Sequence, residues 1–175
     1  LTGNQLPFLY LPGQYLNITL TINNKKITRS FTIASSPSRP GYCDISVKHE
    51  PAGTATPHLH TAAHVGDIVS ISAPAGHFTF TGKEADSIVL IAGGVGITPL
   101  ISVIRYLTDI SWPGQIHLAY AAKTPADILF KNELDNLAQR HPNLHLHYTL
   151  TQTNAPSWKG HTGRITTDFL QKNVP

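Results

Sequence analysis

Several common features are missing from this sequence, and each absence excludes a class of protein. There is no methionine and only one cysteine, Cys43, among the 175 residues. One cysteine can form neither an internal disulfide nor a four-cysteine iron–sulfur or zinc site. No apolar run reaches the roughly 18 residues of a membrane-spanning helix, and no signal peptide opens the chain. We therefore expect a cytoplasmic protein with no membrane span in this segment.

The chain also carries only a small excess of positive over negative charge. The 13 lysines and arginines are scattered among 10 acidic residues, so the pI of about 9.1 is weak support for a nucleic-acid partner, and we expect none. Isolated cations suit a small anionic ligand equally well. A globule of this length buries roughly 70% of its unfolded surface, and it needs no metal or disulfide to fold. The length fits one large domain or two small ones.

The first part of the chain, up to about residue 84, has the period of β-strands. In YLNITLTI (15–22) apolar residues alternate with Asn and Thr, and Asn23-Asn24 then turns the chain into KITRSFTI (26–33). Further strands are predicted in DISVKH (44–49) and GDIVSISA (66–73), with one helix in TPHLHTAAH (56–64). Short strands at this spacing predict a small antiparallel barrel or sandwich.

From about residue 85 the pattern changes to alternating strands and helices. Continuous or alternating apolar runs predict strands in DSIVLIA (86–92), GQIHLAYAA (114–122) and NLHLHYTLT (143–151). Apolar residues at helical spacing follow the first of these, and a second helix is predicted over 124–140, with Thr124 as N-cap and Pro125 at its first position. The order β-α-β-α-β predicts a parallel sheet with right-handed crossovers.

A glycine-rich loop follows the first strand of this second part, in IAGGVGITPL. Gly93, Gly94 and Gly96 let the main chain approach a bulky anion, and Thr98 and Pro99 suit the N-cap and first position of a helix. The carboxyl end of a parallel strand is where open sheets bind ligands, and a helix N-terminus favours phosphate. The loop lacks the Gly-Lys-Ser/Thr of a P-loop and the third glycine of the usual dinucleotide fingerprint.

The segment RSFTIASS (29–36) carries a cation, a ring and hydroxyls on one strand. It resembles the Arg-x-Tyr-Ser-x-x-Ser motif of the ferredoxin–NADP reductase-like flavoproteins, with two substitutions. PGQY (12–15), SVK (46–48), GTATPHL (53–59), PAGHF (74–78), GGVGITP (93–99), YAAKTPADILF (120–130) and WKGHTGRI (158–165) occur in the order and spacing of that family. The similarity is greatest to the reductase modules of flavohaemoglobins and of oxygenase electron-transfer chains.

The resemblance implies two domains. Residues 1–84 would form a six-stranded antiparallel β-barrel that binds FAD. Residues 85–175 would form a Rossmann-like α/β domain that binds NADH or NADPH. The family's next strand leads into a Cys-Gly-Pro motif that supports the nicotinamide, and LQKNVP ends before it. Since the sequence also has no initiator methionine, we expect the chain to be a piece of a longer protein with an incomplete second domain.

The resemblance also assigns residues to each cofactor. Arg29 would bind flavin phosphate groups, Phe31 would stack on the flavin ring, and the Thr32 hydroxyl would reach flavin N5, the atom that receives hydride. The amide groups of the 56–64 helix would help to hold the pyrophosphate. The predicted FAD contacts are Tyr15, Arg29, Ser30, Phe31, Thr32, Ser35, Ser46, Val47, Lys48, Gly53, Ala55 and Thr56. The predicted NAD(P) contacts are Gly93, Gly94, Val95, Gly96, Ile97, Thr98, Pro99 and Lys123.

Phe31, Thr32 and Thr56 depart from the family pattern. Phe31 replaces a tyrosine and loses one hydrogen bond to the cofactor, which contributes on the order of 1 kcal/mol. Threonine for serine at 32 and 56 keeps the hydroxyl on a stiffer side chain. Lys123 follows the second parallel strand, where a basic residue favours NADPH, although a solvated lysine explains it as well. The choice between NADH and NADPH, and between FAD and FMN, stays open.

These residues predict a flavin-dependent NAD(P)H reductase module. It would take hydride onto FAD and pass electrons singly to an iron–sulfur or haem partner that lies outside the segment. A flavin-binding electron-transfer or regulatory subunit that does not react with NAD(P)H is the alternative. A metal site at His58, His60 and His64 is a weaker hypothesis, because no acidic or cysteine ligand lies nearby. We expect no bound metal.

Overall fold

The computed structural model describes residues 8–39, 41–152 and 157–174. The first part contains strands β1 (Tyr15–Ile22), β2 (Lys25–Thr32) and β3 (Ser70–Ile71) and helix α1 (Ala55–Thr61). Strands β1 and β2 form an antiparallel hairpin, with Asn23 and Asn24 at φ 49° and 61° in its two-residue turn. Asparagine tolerates this left-handed conformation, so the Asn-Asn pair fixes the hairpin register as the sequence predicts. β3 pairs with the other edge of β1.

The second part is a parallel sheet with helices. It contains β4 (Ser87–Gly93), α2 (Ile97–Asp109), β5 (Gln115–Ala122), α3 (Lys131–Arg140), β6 (Leu144–Leu150), β7 (His161–Thr162) and α4 (Thr167–Asn173). The strand order is β4-β5-β6-β7, and every neighbouring pair is parallel. The predicted parallel sheet with its alternating helices is confirmed.

The six-stranded barrel is not seen in the part of the chain that the structure describes, where the first sheet has three strands in the order β2-β1-β3. The predicted strand at 44–49 makes a single bridge, from Ile45 to Ile33. The predicted strand at 66–73 shrinks to β3, and Val65 and Ile68 beside it are fully exposed. These segments alternate as strands do, but a strand also needs a hydrogen-bonding neighbour, which a local pattern does not specify.

The helix start predicted at Thr98 and Pro99 is wrong, whereas Thr124 is an N-cap and Pro125 begins a helical turn, as predicted. A 3₁₀ turn at Gly94–Gly96 precedes α2, whose N-cap is Gly96, and the Thr98 hydroxyl donates to the Val95 carbonyl at 3.1 Å. The helix predicted over 124–140 is split into a 3₁₀ turn at Pro125–Asp127 and α3. Phe130 separates them at φ 59°, a conformation that no helix continues through.

Each part has its own apolar core. In the first part Leu16, Ile18 and Leu20 of β1 are buried together with Ile33. In the second part α2 and β5 contribute most of the larger core, including Ile101, Ile104, Leu118 and Tyr120. Ala34 belongs to this second core although it follows β2 in the chain. The two parts are therefore packed against each other at the end of the β2 segment.

Polar contacts reinforce this packing. The Ser102 hydroxyl of α2 donates to the Ser35 carbonyl at 2.7 Å, and the Arg105 guanidinium donates to the Ala34 carbonyl at 2.8 Å. Arg105 also forms two 2.7 Å hydrogen bonds to the carboxylate of Glu133 on α3. A polar cavity of about 320 Å³ lies beside these contacts, lined by Ser36, Arg39, Tyr42 and Asp44 and by helices α2 and α3. The end of the β2 segment is thus fixed to α2.

We expect Arg105→Ala to lower the free energy of unfolding by about 2–3 kcal/mol, because it removes a mostly buried cation and leaves Glu133 and the Ala34 carbonyl without their partner. Arg39→Ala is the matched control. It also breaks a bidentate arginine–carboxylate pair to α2, with Asp109, but the Arg39 side chain is 60% exposed and the expected loss is below about 1 kcal/mol. Urea unfolding measures both values. Equal losses would contradict a special role for Arg105 at this junction.

Candidate functional site

Strand β2 presents the segment 29–32 with its side chains on two faces. The pairing with β1 places Arg29 opposite Ile18 and Phe31 opposite Leu16, so Arg29 and Phe31 share a face. Ser30 and Thr32 lie on the other face, and the Ser30 hydroxyl donates to Asn17 at 2.6 Å. The alternation that the sequence predicted for Arg29, Phe31 and Thr32 is confirmed by this register.

The Arg29 side chain is exposed. Its guanidinium donates one hydrogen bond, to the Thr28 carbonyl at 2.8 Å, and among the described residues we find no acidic partner for it. The remaining N–H groups are therefore free to bind an anion. A guanidinium has five donors in a planar fork, which matches the geometry of phosphate oxygens. Arg29 thus fits the phosphate-anchoring role expected for it.

Phe31 and Thr32 are both half-buried. The ring of Phe31 packs against the core of the first part and leaves part of its surface accessible. Thr32 lies opposite Tyr15, and its hydroxyl has no protein partner in residues 8–39, 41–152 and 157–174. Since a hydroxyl can both donate and accept, Thr32 is available to a ligand atom.

Ser35 is held inside the protein instead. It is buried, and its hydroxyl bonds the Tyr10 hydroxyl at 2.8 Å and accepts from the Asp44 amide at 2.9 Å. Burial raises the pKa of Tyr10, so the Tyr10 phenol stays protonated at neutral pH. The Ser35 carbonyl accepts from the Ser102 hydroxyl. These bonds fix the end of the β2 segment.

The other predicted flavin contacts lie in two further segments. The Tyr15 ring covers Gly76, where a Cβ would come within 3.1 Å of the ring. The Val47 carbonyl contacts His60 Nε2 at 2.8 Å, which ties the 46–48 segment to α1. The Thr56 hydroxyl is engaged with the main chain of Glu50, at 3.2 and 3.3 Å. Gly53 lies in the same turn, and its amide donates to the Glu50 carbonyl at 2.8 Å.

The glycine loop at the carboxyl end of β4 has open space in front of its main chain. A Cβ built on Gly93, Gly94 or Gly96 meets no atom within 4 Å. Gly94 has φ 51°, the left-handed region that side-chain-bearing residues rarely adopt. The loop continues into α2, a 13-residue helix whose N-terminus favours an anion. This geometry fits a bulky phosphate-bearing ligand such as a dinucleotide.

Lys123 lies on the next loop, after β5, and is exposed. Its neighbour Thr124 donates through its amide and hydroxyl to Asp127, at 3.0 and 2.7 Å. These hydrogen bonds lower the pKa of Asp127, so this loop carries a carboxylate close to the lysine at neutral pH. The lysine favours the 2′-phosphate of NADPH, whereas the carboxylate favours the ribose hydroxyl of NADH.

Helix α2 joins the two candidate binding segments. It begins at the glycine loop, and its Ser102 and Arg105 donate to the Ser35 and Ala34 carbonyls that follow β2. Neither side chain is among the site residues that the sequence predicts. Their signal is weak, because they are two of several polar residues in α2 and are marked only by lying three positions apart on one face.

The histidines in the described part of the chain do not come together as a metal site. Among the residues that the structure describes, no group of three or more His, Cys, Asp or Glu side chains could hold a metal ion. His60 bonds a carbonyl and packs edge-on against His49. His117 and His147 approach at 3.4 Å on one face of the parallel sheet, where burial and the neighbouring imidazoles lower the pKa of both.

None of the helices in the described ranges combines the length and the apolar composition that a membrane span requires.

Two family descriptions match the chain. Residues 1–80 match the oxidoreductase FAD-binding domain, and residues 90–175 match the oxidoreductase NAD-binding domain. The glycine betaine monooxygenase reductase subunit of Chromohalobacter salexigens is 34% identical over 170 residues, which are 96% of this chain and 46% of the relative. NADH-cytochrome b5 reductase 1 of Candida albicans is 37% identical over 165 residues, 93% of this chain and 55% of the relative. The chain thus spans about half the length of these curated relatives.

Solved structures agree with these matches. The FAD/NAD-binding domain of nitric oxide dioxygenase from Vibrio cholerae has a TM-score of 0.80 at 26% identity, covering 91% of this chain and 68% of that one. The cytochrome b5 reductase domain of Ulva prolifera nitrate reductase has a TM-score of 0.80 at 28% identity. The match covers 94% of this chain and 70% of that one. The exposed Arg29 guanidinium, the open glycine loop and the parallel sheet are consistent with these matches. The chain belongs to the ferredoxin–NADP reductase-like flavoprotein family.

Proposed function

We propose that this chain is the flavin- and pyridine nucleotide-binding part of a reductase. It takes hydride from NADH or NADPH onto FAD, and the electrons then pass singly to a haem or iron–sulfur partner outside the chain. One observation carries the proposal: helix α2 starts at the open glycine loop and is bonded, through Ser102 and Arg105, to the strand segment that carries Arg29, Phe31 and Thr32. A hydride donor and a flavin must be held at fixed separation, and a shared rigid helix does this.

When bound, FAD accepts two electrons as hydride and releases them one at a time, which is chemistry of the cofactor. The protein's own groups bind and orient. In the proposal Arg29 anchors flavin phosphate, the accessible part of Phe31 supports the flavin ring, and the Thr32 hydroxyl bonds flavin N5. Ser35 serves as a positioning residue in this arrangement, because its hydroxyl and carbonyl both have protein partners.

The remaining predicted flavin contacts border the ring and the pyrophosphate in this proposal. They come from β1 and from the segment between β2 and α1. They are Tyr15, Ser30, Ser46, Val47, Lys48, Gly53, Ala55 and Thr56. We place the division between the two domains at residues 84 and 85, between the sheet that contains β1 and the one that begins with β4.

The pyridine nucleotide is assigned to the glycine loop. In this proposal the free main-chain N–H groups of the glycine loop and the positive end of α2 bind its pyrophosphate, and Thr98 and Pro99 lie in the first turn of that helix. Lys123 is assigned to the ribose side. The relatives named above are a monooxygenase reductase subunit and an NADH-cytochrome b5 reductase, which supports an oxygenase component or a cytochrome as the electron acceptor.

The assignment of Thr32 predicts a kinetic effect. Thr32→Ala should slow flavin reduction by NAD(P)H about tenfold, the loss of one hydrogen bond of about 1.4 kcal/mol, and should change the FAD dissociation constant less than threefold. Thr28→Ala is the matched control, since it removes a hydroxyl from the same face of β2 that bonds Thr19 at 2.9 Å. Stopped-flow reduction and flavin titration measure the two quantities. Weaker FAD binding with an unchanged reduction rate would exclude the N5 contact.

A further inference from the structure

Tyr120 lies on β5, beneath the two loops assigned to the pyridine nucleotide. Its side chain is fully buried in the core of the second part. Its hydroxyl donates to the Gly94 carbonyl at 3.0 Å and accepts from the Leu129 amide at 3.2 Å. Gly94 belongs to the glycine loop after β4, and Leu129 belongs to the segment after β5 that begins with Lys123. One phenol therefore bonds both loops.

The bond to Gly94 sets the direction of a main-chain N–H group. In a trans peptide the carbonyl and the following N–H point in opposite directions. Because Tyr120 holds the Gly94 carbonyl toward the core, the Val95 N–H is directed away from it. Val95 is 39% exposed, and the space in front of Gly94 is open. The Tyr120 hydroxyl thus presents the Val95 N–H to a ligand at the loop.

Because Gly94 has a positive φ, the hydrogen bond from Tyr120 to its carbonyl affects the conformation of the whole loop. A glycine populates both signs of φ with little preference, so φ 51° has to be stabilised by contacts of the loop. The Gly94 carbonyl accepts from the Ile97 amide within the 3₁₀ turn and from the Tyr120 hydroxyl, and these two hydrogen bonds together select one conformation. Burial raises the pKa of Tyr120, so the phenol stays protonated and remains a donor at neutral pH.

We propose that Tyr120 is a positioning residue for the pyridine nucleotide: through its hydroxyl it pre-forms the glycine loop and ties it to the 123–130 segment. The inference rests on the proposed function, which places the nucleotide at these loops. Tyr120 does not touch the nucleotide itself, because its side chain has no exposed surface. Its effect is to remove the conformational cost of ordering the loop when the ligand binds.

The test is Tyr120→Phe, which keeps the ring and removes only the hydroxyl. Tyr148→Phe is the matched control. Tyr148 is the neighbour of Tyr120 across β5 and β6, and its hydroxyl donates to Asp135 at 3.1 Å, away from both loops. Each variant is made in the full-length protein loaded with FAD. Steady-state kinetics with NADH and NADPH, titration with the oxidised nucleotides, FAD titration and thermal unfolding are measured on both.

For Tyr120→Phe we expect KM and the dissociation constant of the nucleotide to rise about five- to tenfold, with kcat and the FAD dissociation constant unchanged within twofold. Tyr148→Phe should lose similar thermal stability and leave nucleotide binding unchanged. Equal changes of KM and kcat in both variants would mean that Tyr120 only supports the fold, and the proposal would be wrong.

A third variant separates this inference from the proposed function. Gly94→Val alters the glycine loop itself. If Gly94→Val abolishes nucleotide binding and Tyr120→Phe leaves it within twofold, the positioning role is overturned and the proposed function stands. If neither variant changes nucleotide binding, the nucleotide does not lie at this loop, and both proposals are overturned.

Discussion

Replacing Gly94 with valine is expected to raise the dissociation constant of NADH or NADPH by about two orders of magnitude. Gly94 holds φ 51°, a conformation that costs an L-residue roughly 1–2 kcal/mol and a β-branched one more. The valine side chain also occupies the open space in front of the loop. Losing one charge-assisted hydrogen bond to the pyrophosphate adds about 1.5–3 kcal/mol, and each ~1.4 kcal/mol is a factor of ten.

Gly66→Val is the control for this prediction. Gly66 also has a positive φ, 101°, and also has open space around it, but it lies in the turn between α1 and β3. It therefore reproduces the backbone strain without touching the glycine loop. Nucleotide titration of the FAD-loaded protein gives both values. If the two variants bind NAD(P)H equally well, the glycine loop is not the nucleotide site.

Arg29→Ala is expected to weaken FAD binding by roughly 1.5–3 kcal/mol, which is about 10- to 150-fold in the dissociation constant. The Arg29 guanidinium is exposed and spends one donor on the Thr28 carbonyl, so most of its hydrogen-bonding capacity is available to phosphate. In the proposed role, removing Arg29 takes away a bidentate, charge-assisted contact to phosphate.

The matched control for Arg29 is Lys25→Ala. Lys25 is an exposed cation on the same face of β2, about 13 Å along the strand from Arg29. The Lys25→Ala substitution removes the same charge from the same strand, so it measures the long-range electrostatic part of the loss in FAD affinity. Fluorescence titration of the apoprotein with FAD distinguishes the variants. An Arg29→Ala dissociation constant within twofold of the Lys25→Ala value would refute the anchoring role.

The sequence predicts those features of the fold that depend on neighbours along the chain. The alternation in 15–22 and the Asn23-Asn24 turn specify a hairpin and its register, and the register then places Arg29 and Phe31 on one face. The apolar runs and the glycine loop specify the parallel sheet. Only glycine readily adopts the left-handed conformation seen at Gly94, so a run of glycines after a strand identifies the loop without knowledge of the rest of the structure.

Features that depend on distant partners could not be predicted. Ser102 and Arg105 meet their carbonyls across 67 and 71 residues, and no local pattern marks those pairings. Tyr120 looks like an ordinary apolar strand residue until its hydroxyl is found between two loops. The strand predicted at 44–49 has the right alternation, yet it makes only one bridge. The helix predicted over 124–140 breaks at Phe130, which has no sequence signal of a helix breaker.

The most direct test of the account is the reduction of bound flavin by NAD(P)H. The full-length protein is loaded with FAD and mixed with excess NADH or NADPH in a stopped-flow instrument without oxygen. We expect the flavin absorbance at about 450 nm to bleach with at least one nucleotide, at a rate on the order of 1–10³ s⁻¹. Protein that binds FAD but does not bleach with either nucleotide would contradict the reductase assignment and favour a flavin-binding subunit that does not react with NAD(P)H.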